Sequence, residues 1–156
     1  MMAACARAQR DPASVTLIAV SKTHPVESVL LAAETGVQHF GENRVEEAQA
    51  KIPAARLKTA RPLQWHMIGH LQSRKVKDAL ALFGKIDSVD SLRLAEKLSR
   101  VAVENDLTLE ILLEINVSGE ESKYGFQATG WKTDPAIREP LFEAMGQIAK
   151  LPGLQM

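Results

Sequence analysis

Residues 15–25, VTLIAVSKTHP, place a short apolar run directly before a serine, a lysine, a threonine, a histidine and a proline. A run of six apolar or β-branched residues predicts a buried strand over 15–20. Pro25 suits the first residue of a helix, because its φ is fixed and it has no N–H group that would need a partner. This stretch therefore predicts one strand, one polar turn and the start of one helix.

The same strand-and-helix unit recurs along the chain. Further strands are predicted at 37–40, 64–68, 86–89 and 108–116, and the segments between them carry apolar residues at every third or fourth position. Such alternation indicates βα units and a parallel sheet. We therefore expect an α/β fold with about five to six βα units.

Helix ends are predicted from residues that satisfy or terminate the free backbone groups there. Gly36 can adopt the left-handed conformation that ends the first helix, and a last helix is predicted over 137–150. Side chains that accept backbone hydrogen bonds suit the starts of the helices between them. The predicted N-caps are Asn43, with Glu46 at capping-box spacing, Ser73, and either Asp90 or Ser91.

Composition limits the classes of partner. The chain has 156 residues, of which 46% are hydrophobic, and its 19 basic side chains balance 19 acidic ones. A balanced charge predicts neither a nucleic-acid partner nor a membrane partner. Cys5 is the only cysteine, which excludes an internal disulfide and agrees with a reducing compartment. We expect one cytoplasmic domain over residues 1–156.

Polar residues follow the predicted strands at their carboxyl ends, where ligands gather in parallel α/β folds. Lys22 follows the first strand, Asn43 the second, and the segment 69–73 the third, while Asn116 lies at the end of the fifth. A lysine amine attacks an aldehyde only when it is neutral, a state that burial or a nearby cation favours. Lys22 is therefore a candidate Schiff-base lysine, and a solvated loop lysine is the alternative.

The pair His66 and His70 has the i, i+4 spacing of zinc ligands on a helix. Gly69 and the strand-like sequence before it make a helix there unfavourable, and the HExxH glutamate is absent. We therefore predict no metal site, and favour histidines that bond a ligand or a loop carbonyl. Helix capping alone would explain Asn43 and Ser73.

Five segments resemble, in order and spacing, the pyridoxal phosphate homeostasis proteins, the YggS-like group also called proline synthetase co-transcribed proteins. These segments are LIAVSKTHP, HFGENRVEEAQAK, WHMIGHLQSRKVK, IDSVDSLRLAEKL and LLEINVSGEESKYGF. The resemblance implies a TIM-type (β/α) barrel of the alanine racemase N-terminal type. It also implies that pyridoxal phosphate is bound as a Schiff base on Lys22.

The resemblance implies further pocket positions and a biological role. It places Asn43 near the cofactor ring and Asn116 near the mouth of the site. Four residues in or after the third strand are further candidates that line or support the pocket: His66, Gly69, His70 and Ser73. Members of this family are taken to carry or buffer pyridoxal phosphate in vitamin B6 homeostasis, with pyridoxal phosphate-dependent apoenzymes as candidate recipients. An amino-acid racemase-like enzyme and a truncated chain that binds no cofactor are the alternatives.

The resemblance also implies that parts of the barrel are missing. Such barrels have about eight strands, and phosphate usually binds to the loops after the last two. Here the segment LPGLQM, residues 151–156, only begins a sixth strand. We therefore expect an incomplete barrel, truncated at its C-terminus, with strand edges at the first and fifth strands, an exposed apolar inner face and weakened cofactor binding.

Overall fold

The computed structural model describes all residues, 1–156, and contains a six-stranded parallel sheet. Its strands follow one another in the order β1-β2-β3-β4-β5-β8, and a separate two-stranded parallel sheet joins β6 to β7. Sequential parallel order is the arrangement found in (β/α) barrels. The strands are β1 Ile18–Val20, β2 His39–Glu42, β3 Gln64–Met67, β4 Lys85–Val89, β5 Leu109–Leu113, β6 Ile115–Asn116, β7 Phe126–Gln127 and β8 Leu154–Gln155.

The helices form a layer on one face of the sheet, in which each helix from the second onward contacts the next. They are α1 Met2–Arg7, α2 Val26–Glu34, α3 Val45–Lys58, α4 Val76–Leu82, α5 Leu92–Glu104 and α6 Pro135–Ile148. Ile52 of α3 and Leu98 of α5 are fully buried against strand residues such as Trp65. Removal of this apolar surface from water holds the two layers together. None of the helices combines the length and the hydropathy that crossing a bilayer requires.

The strand predictions are confirmed, with corrected limits. The first strand begins at Ile18 rather than at residue 15, because a short 3₁₀ turn at Pro12–Ser14 precedes it. The predicted strand over 108–116 is two strands, since the chain leaves β5 at Glu114 and continues in β6. The sixth strand predicted at the end of the chain is present, and it pairs with β5.

Two predicted helix features are confirmed. Gly36 has a φ of +99°, which is the left-handed conformation expected after α2. Ser91 caps α5, because its Oγ accepts a hydrogen bond from the backbone N–H of Leu94 at 3.3 Å. The last helix begins slightly earlier than predicted, at Pro135, where the side chain of Asp134 accepts from the N–H of Ala136.

Three predicted helix starts are wrong in detail. Pro25 is the N-cap of α2 rather than its first helical residue. Arg44, not Asn43, is the N-cap of α3, and no side chain caps that helix. Ser73 opens a 3₁₀ turn that leads into α4, and it makes no capping hydrogen bond. The helix layer packs tightly against the sheet, so these starts are stabilised without side-chain caps.

The face of the sheet opposite the helices, here called the inner face, is open and carries both apolar and polar side chains. Ile18 and His39 are partners in the ladder, as are His66 and Lys85, so their side chains lie on the same face. On that face Val20 is 50% exposed. The exposure of the inner face is therefore confirmed, but the face is partly polar rather than apolar throughout. The second sheet edge is β8 rather than the fifth strand, because β8 covers β5.

Candidate functional site

Lys22 lies directly after β1, at the carboxyl edge of the sheet, and is exposed. Ser21 continues the ladder, because its N–H donates to the carbonyl of Gly41 at 3.0 Å. The side chain of Ser21 points toward the helix layer, where it bonds Glu42. Because successive side chains along a strand point to opposite faces of the sheet, Lys22 is directed toward the inner face. The amine of Lys22 makes no hydrogen bond or ion pair with another residue.

A buried polar cluster lies beneath this edge and consists of Ser21, Glu42 and Lys51. The Oγ of Ser21 donates to Glu42 Oε1 at 2.7 Å, and Lys51 Nζ donates to the same oxygen at 2.6 Å. Lys51 Nζ also donates to the backbone carbonyl of Ser21 at 2.7 Å. Glu42 is 0% exposed, and its second oxygen has no partner. The cluster fixes both the backbone and the side chain of the residue before Lys22.

The turn after Lys22 is fixed as well. Thr23 has a φ of +64°, an uncommon conformation for a β-branched residue. Its N–H donates to Glu47 Oε2 on α3 at 3.2 Å, and the N–H of His24 donates to the carbonyl of Ser21 at 3.1 Å. Both bonds hold the turn in its strained shape. Lys22 therefore projects from a rigid support rather than from a flexible loop.

The loops after β2 and β3 touch through their backbones. A Cβ atom added to Gly69 would lie 2.4 Å from the carbonyl oxygen of Asn43, so only glycine fits there. The carbonyl of Gly69 also accepts a hydrogen bond from Ser88 Oγ at 2.7 Å. Asn43 is half-buried and, together with His70, lines a small cavity of about 80 Å³ at this edge. The structure thus brings Asn43, Gly69 and His70 together.

His66 lies below the edge, buried on the inner face of β3. Its Nδ1 is 2.7 Å from Asp87 Oδ2, and its Nε2 is 2.9 Å from Nδ1 of His39. Burial, followed by the neighbouring His66 and Lys85, lowers the pKa of His39 from its usual 6.5. His66 and Asp87 line an inner-face cavity of about 410 Å³. His66 is a strand residue with two hydrogen-bond partners, not one member of a helical His pair.

His70 belongs to a second cluster at the carboxyl edge. Its Nδ1 is 2.7 Å from Asp90 Oδ2, and its ring stacks on Tyr124 with the centroids 3.8 Å apart and the planes 11° from parallel. Burial, followed by the negative charge of Asp90, raises the pKa of Glu114, and His70 opposes this shift. No group of three or more His, Cys, Asp or Glu side chains is arranged to hold a metal ion.

Asn116 is buried and organises the loop that follows it. Its Nδ2 donates to the carbonyl of Glu120 at 3.0 Å and to that of Lys123 at 3.3 Å. Its Oδ1 accepts from Ser118 Oγ at 3.2 Å and from the N–H of Gly119 at 2.9 Å. All four bonds are local, so the structure gives Asn116 a loop-ordering position close to the edge that carries Tyr124.

Ser73 is not grouped with the other candidates. It lies at the start of the 3₁₀ turn before α4 and lines a groove between α4 and α5 instead of the cavity shared by Asn43 and His70. Arg44 is exposed, and its nearest carboxylate is that of Glu47 at 3.9 Å. Trp65, at the start of β3, is buried in the core between the sheet and the helices.

Comparison with known proteins gives the family. Residues 3–139 match the model of the alanine racemase N-terminal domain. The chain belongs to this family. Its fold is also similar to that of a solved alanine racemase from Clostridium difficile 630, with a TM-score of 0.69 at 17% identity over 91% of this chain and 34% of that one. The prediction of an incomplete TIM-type barrel of the alanine racemase N-terminal type is confirmed.

More similar relatives carry the name that the motifs predict. The pyridoxal phosphate homeostasis protein of Pseudomonas aeruginosa is 44% identical over 118 residues, which are 76% of this chain and 50% of that protein. PipY of Synechococcus elongatus, solved with pyridoxal phosphate bound, is 39% identical with a TM-score of 0.74, over 99% of this chain and 65% of PipY. The chain spans only 50–62% of the length of the curated relatives it matches.

For this member of the alanine racemase N-terminal domain family, sequence analysis missed Lys51, Asp87 and Tyr124. The sequence does carry a signal for Lys51. Glu42 lies two residues after Phe40 and therefore on the same, helix-facing side of β2. A carboxylate buried there requires a cation on the helix that covers it. Asp87 and Tyr124 offer no comparable signal, because each pairs with a histidine that is distant in sequence.

Proposed function

We propose that this chain holds pyridoxal phosphate as a Schiff base on Lys22 and serves to carry or buffer the cofactor. The observation that carries the proposal is the place of Lys22 directly after β1, at the carboxyl edge where ligands gather in parallel α/β folds, on a turn that hydrogen bonds hold in place. The names of the relatives and the cofactor bound to PipY support it. Pyridoxal phosphate supplies an aldehyde, the group with which a primary amine forms a Schiff base.

The surrounding residues fit such a ligand. The support under Ser21 holds the backbone before Lys22, so the amine is presented without reorganisation of the turn. Asn43 and His70 offer polar groups at the same edge, and the contact of Gly69 with Asn43 keeps their loops together. Asn116 would act indirectly, through the loop that carries Tyr124. Ser73 faces the groove between α4 and α5 and is the weakest of the proposed pocket residues.

The first experiment measures the visible absorption spectrum of the protein with pyridoxal phosphate, followed by borohydride reduction and peptide mass mapping. We expect a visible band and a reduced adduct on the peptide that contains Lys22, with both lost in Lys22→Ala. The matched control is Lys150→Ala, which removes another exposed lysine. Labelling spread over many lysines, or unchanged in Lys22→Ala, would overturn the proposal.

The proposal also holds that the chain is a carrier rather than an enzyme. Curated relatives are named homeostasis proteins. Tyr124 is the only tyrosine available as a phenolic acid or base, and its ring is stacked on His70. Incubation of the loaded protein with L-alanine should therefore give no D-alanine above the rate of free pyridoxal phosphate. Enzymatic formation of D-alanine that Lys22→Ala abolishes would establish the racemase-like alternative.

Delivery of the cofactor to pyridoxal phosphate-dependent apoenzymes in the cytoplasm completes the proposal. The word homeostasis in the names of the relatives supports it. The loaded protein should restore the activity of such an apoenzyme faster than an equal concentration of the Lys22→Ala protein incubated with the same cofactor. Equal rates would show that only free cofactor is transferred.

A further inference from the structure

A groove of about 560 Å³ separates α4 from α5 on the outer surface of the helix layer. It is lined by seven residues, and none of them is hydrophobic. Five carry a positive charge, and Glu96 is the only acid. The lining residues are Ser73, Arg74, Lys77, Arg93, Glu96, Lys97 and Arg100.

The two walls of the groove present their positive charges to each other. Arg93, Lys97 and Arg100 are spaced i, i+4 and i+7 along α5, so they form one stripe on that helix. Arg74 and Lys77 come from the opposite wall, on the 3₁₀ turn and α4. Like charges at such spacing destabilise a helix. The groove therefore concentrates charge repulsion at a single place.

Glu96 in the lining and Glu46, which attracts Arg74, offset part of this repulsion, but neither forms an ion pair with a lining residue. Eight ion pairs occur in the structure, and none of them includes a lining residue of the groove. The Nε of Arg74 donates to Gln72 Oε1, which is neutral. Lys75, between Arg74 and Lys77 in sequence, pairs instead with Glu46 outside the groove. In a chain of zero net charge this is a strong local excess of cations.

The lining also indicates the kind of anion that fits. Protein partners usually insert aromatic or aliphatic anchors between hydrophobic side chains at the centre of an interface, and none of the residues that line this groove is hydrophobic. Nucleic acids require a basic surface that extends along the duplex or strand. The volume lies instead within the range of small-ligand sites, and arginine forks match the oxygens of phosphate.

We propose that the groove between α4 and α5 binds a small ligand that carries several phosphate groups. Phosphates would neutralise the facing stripes and would accept hydrogen bonds from both walls. The lining of the groove does not include Lys22, and the turn after Lys22 bonds Glu47 of α3. Of the residues proposed for the cofactor site only Ser73 lines the groove, so binding in the groove does not require Lys22.

The test is isothermal titration of the full chain with inorganic triphosphate at low ionic strength. We expect saturable binding that weakens about tenfold when salt approaches physiological strength, because salt screens such contacts. The variant Arg93→Gln, Lys97→Gln, Arg100→Gln should weaken binding by about tenfold or more. The matched control Arg7→Gln, Arg61→Gln, Lys150→Gln removes the same net charge from exposed positions elsewhere and should bind as the unmodified protein does.

Three results would overturn the proposal. If the unmodified protein showed no saturable binding of triphosphate, the groove would not be a phosphate-binding site. An equal loss in both triple variants would show attraction by net charge alone. Binding of a ten-residue polyglutamate peptide without binding of triphosphate would assign the groove to an acidic protein segment. Circular dichroism of both variants verifies that each is folded, and the Lys22→Ala protein should bind triphosphate normally whether or not the chain binds pyridoxal phosphate.

Discussion

The ammonium group of Lys51 lies 2.6 Å from the carboxylate of Glu42, in a contact where the side chain of Glu42 is fully buried and that of Lys51 is 9% exposed. This pair joins α3 to β2 and also bonds Ser21. Burial of two charges is expensive, so the pair contributes less to net stability than its distance suggests. Its structural effect is to hold the end of β1, from which Lys22 projects.

Removal of one partner of this pair should destabilise the protein strongly. In Lys51→Met the carboxylate of Glu42 stays buried without a cation, so we expect the free energy of unfolding to fall by about 3–5 kcal/mol. Urea denaturation measures the change. The double variant Glu42→Gln, Lys51→Met should recover part of the loss, because the neutral amide can still accept from Ser21.

The exposed pair of Lys58 and Glu27 provides the control for this prediction. Lys58→Met removes an ammonium group at the same kind of distance, 2.9 Å, but both side chains are at least half exposed. Its effect should be much smaller, because water replaces the lost partner. A similar loss in Lys51→Met and Lys58→Met would refute the view that burial makes the pair of Lys51 critical.

Gly69→Ala should destabilise the carboxyl edge by steric conflict. The new methyl group would lie 2.4 Å from the carbonyl oxygen of Asn43, which is backbone and cannot rotate away. We expect a loss of about 1–3 kcal/mol in thermal or urea unfolding. Gly146→Ala is the control, since nothing lies within 4 Å of its added Cβ and alanine favours helix α6. The control should be neutral or slightly stabilising, and an equal loss in both variants would contradict the prediction.

The lowered pKa of His39 predicts acid sensitivity. The folded state binds fewer protons than the unfolded state between this lowered pKa and the usual value of 6.5. Stability is therefore complete above 6.5 and falls as the pH drops through this window. His39→Gln should flatten this part of the profile of unfolding free energy against pH. An unchanged slope in His39→Gln would contradict this prediction.

Asn116→Ala should loosen the loop over 118–124 while leaving the barrel folded. The N–H of Gly119 loses its acceptor, and the carbonyls of Glu120 and Lys123 lose a shared donor. We expect hydrogen exchange at Gly119 to accelerate by about tenfold. Asn116→Asp keeps the acceptor but not the donor, so its effect at Gly119 should be smaller.

Asn105→Ala is the reference for this measurement. Asn105 also donates from Nδ2 to a backbone carbonyl, that of Val101, but at the end of α5. The Asn105→Ala variant should leave hydrogen exchange in the loop over 118–124 unchanged. Unchanged exchange at Gly119 in Asn116→Ala would mean that the backbone alone orders the loop.

Local patterns predict much of this fold because its elements are short and their signals are local. The strand before Lys22 is predictable because its residues are apolar or β-branched. The positive φ of Gly36 is predictable because glycine has no Cβ. The prediction of Asn43 and Ser73 as N-caps was wrong because tertiary packing, rather than side-chain capping, determines where those helices begin. The break at Glu114 depends on pairing with β7, a contact that no local pattern contains.

The candidate functional site likewise has features that local sequence predicts and features that depend on long-range contacts. Candidates that directly follow a strand, such as Lys22 and Asn43, could be placed at the carboxyl edge from the parallel pattern alone. The partners that give these positions their chemistry are long-range: Lys51 reaches Ser21, and Asp90 reaches His70, from elements twenty or more residues away. Side-chain direction also decided the outcome for Ser73, which faces the groove between α4 and α5.

The stack of Tyr124 on His70 gives the molecule an intrinsic spectroscopic label. Because the chain contains a single tyrosine, its aromatic proton resonances need no assignment by mutagenesis. The His70 ring, whose centroid lies 3.8 Å away, should shift the tyrosine ring protons upfield through its ring current, and the shift should vanish when the two rings separate. Ordinary proton spectra of unlabelled protein would then follow the loop during ligand addition.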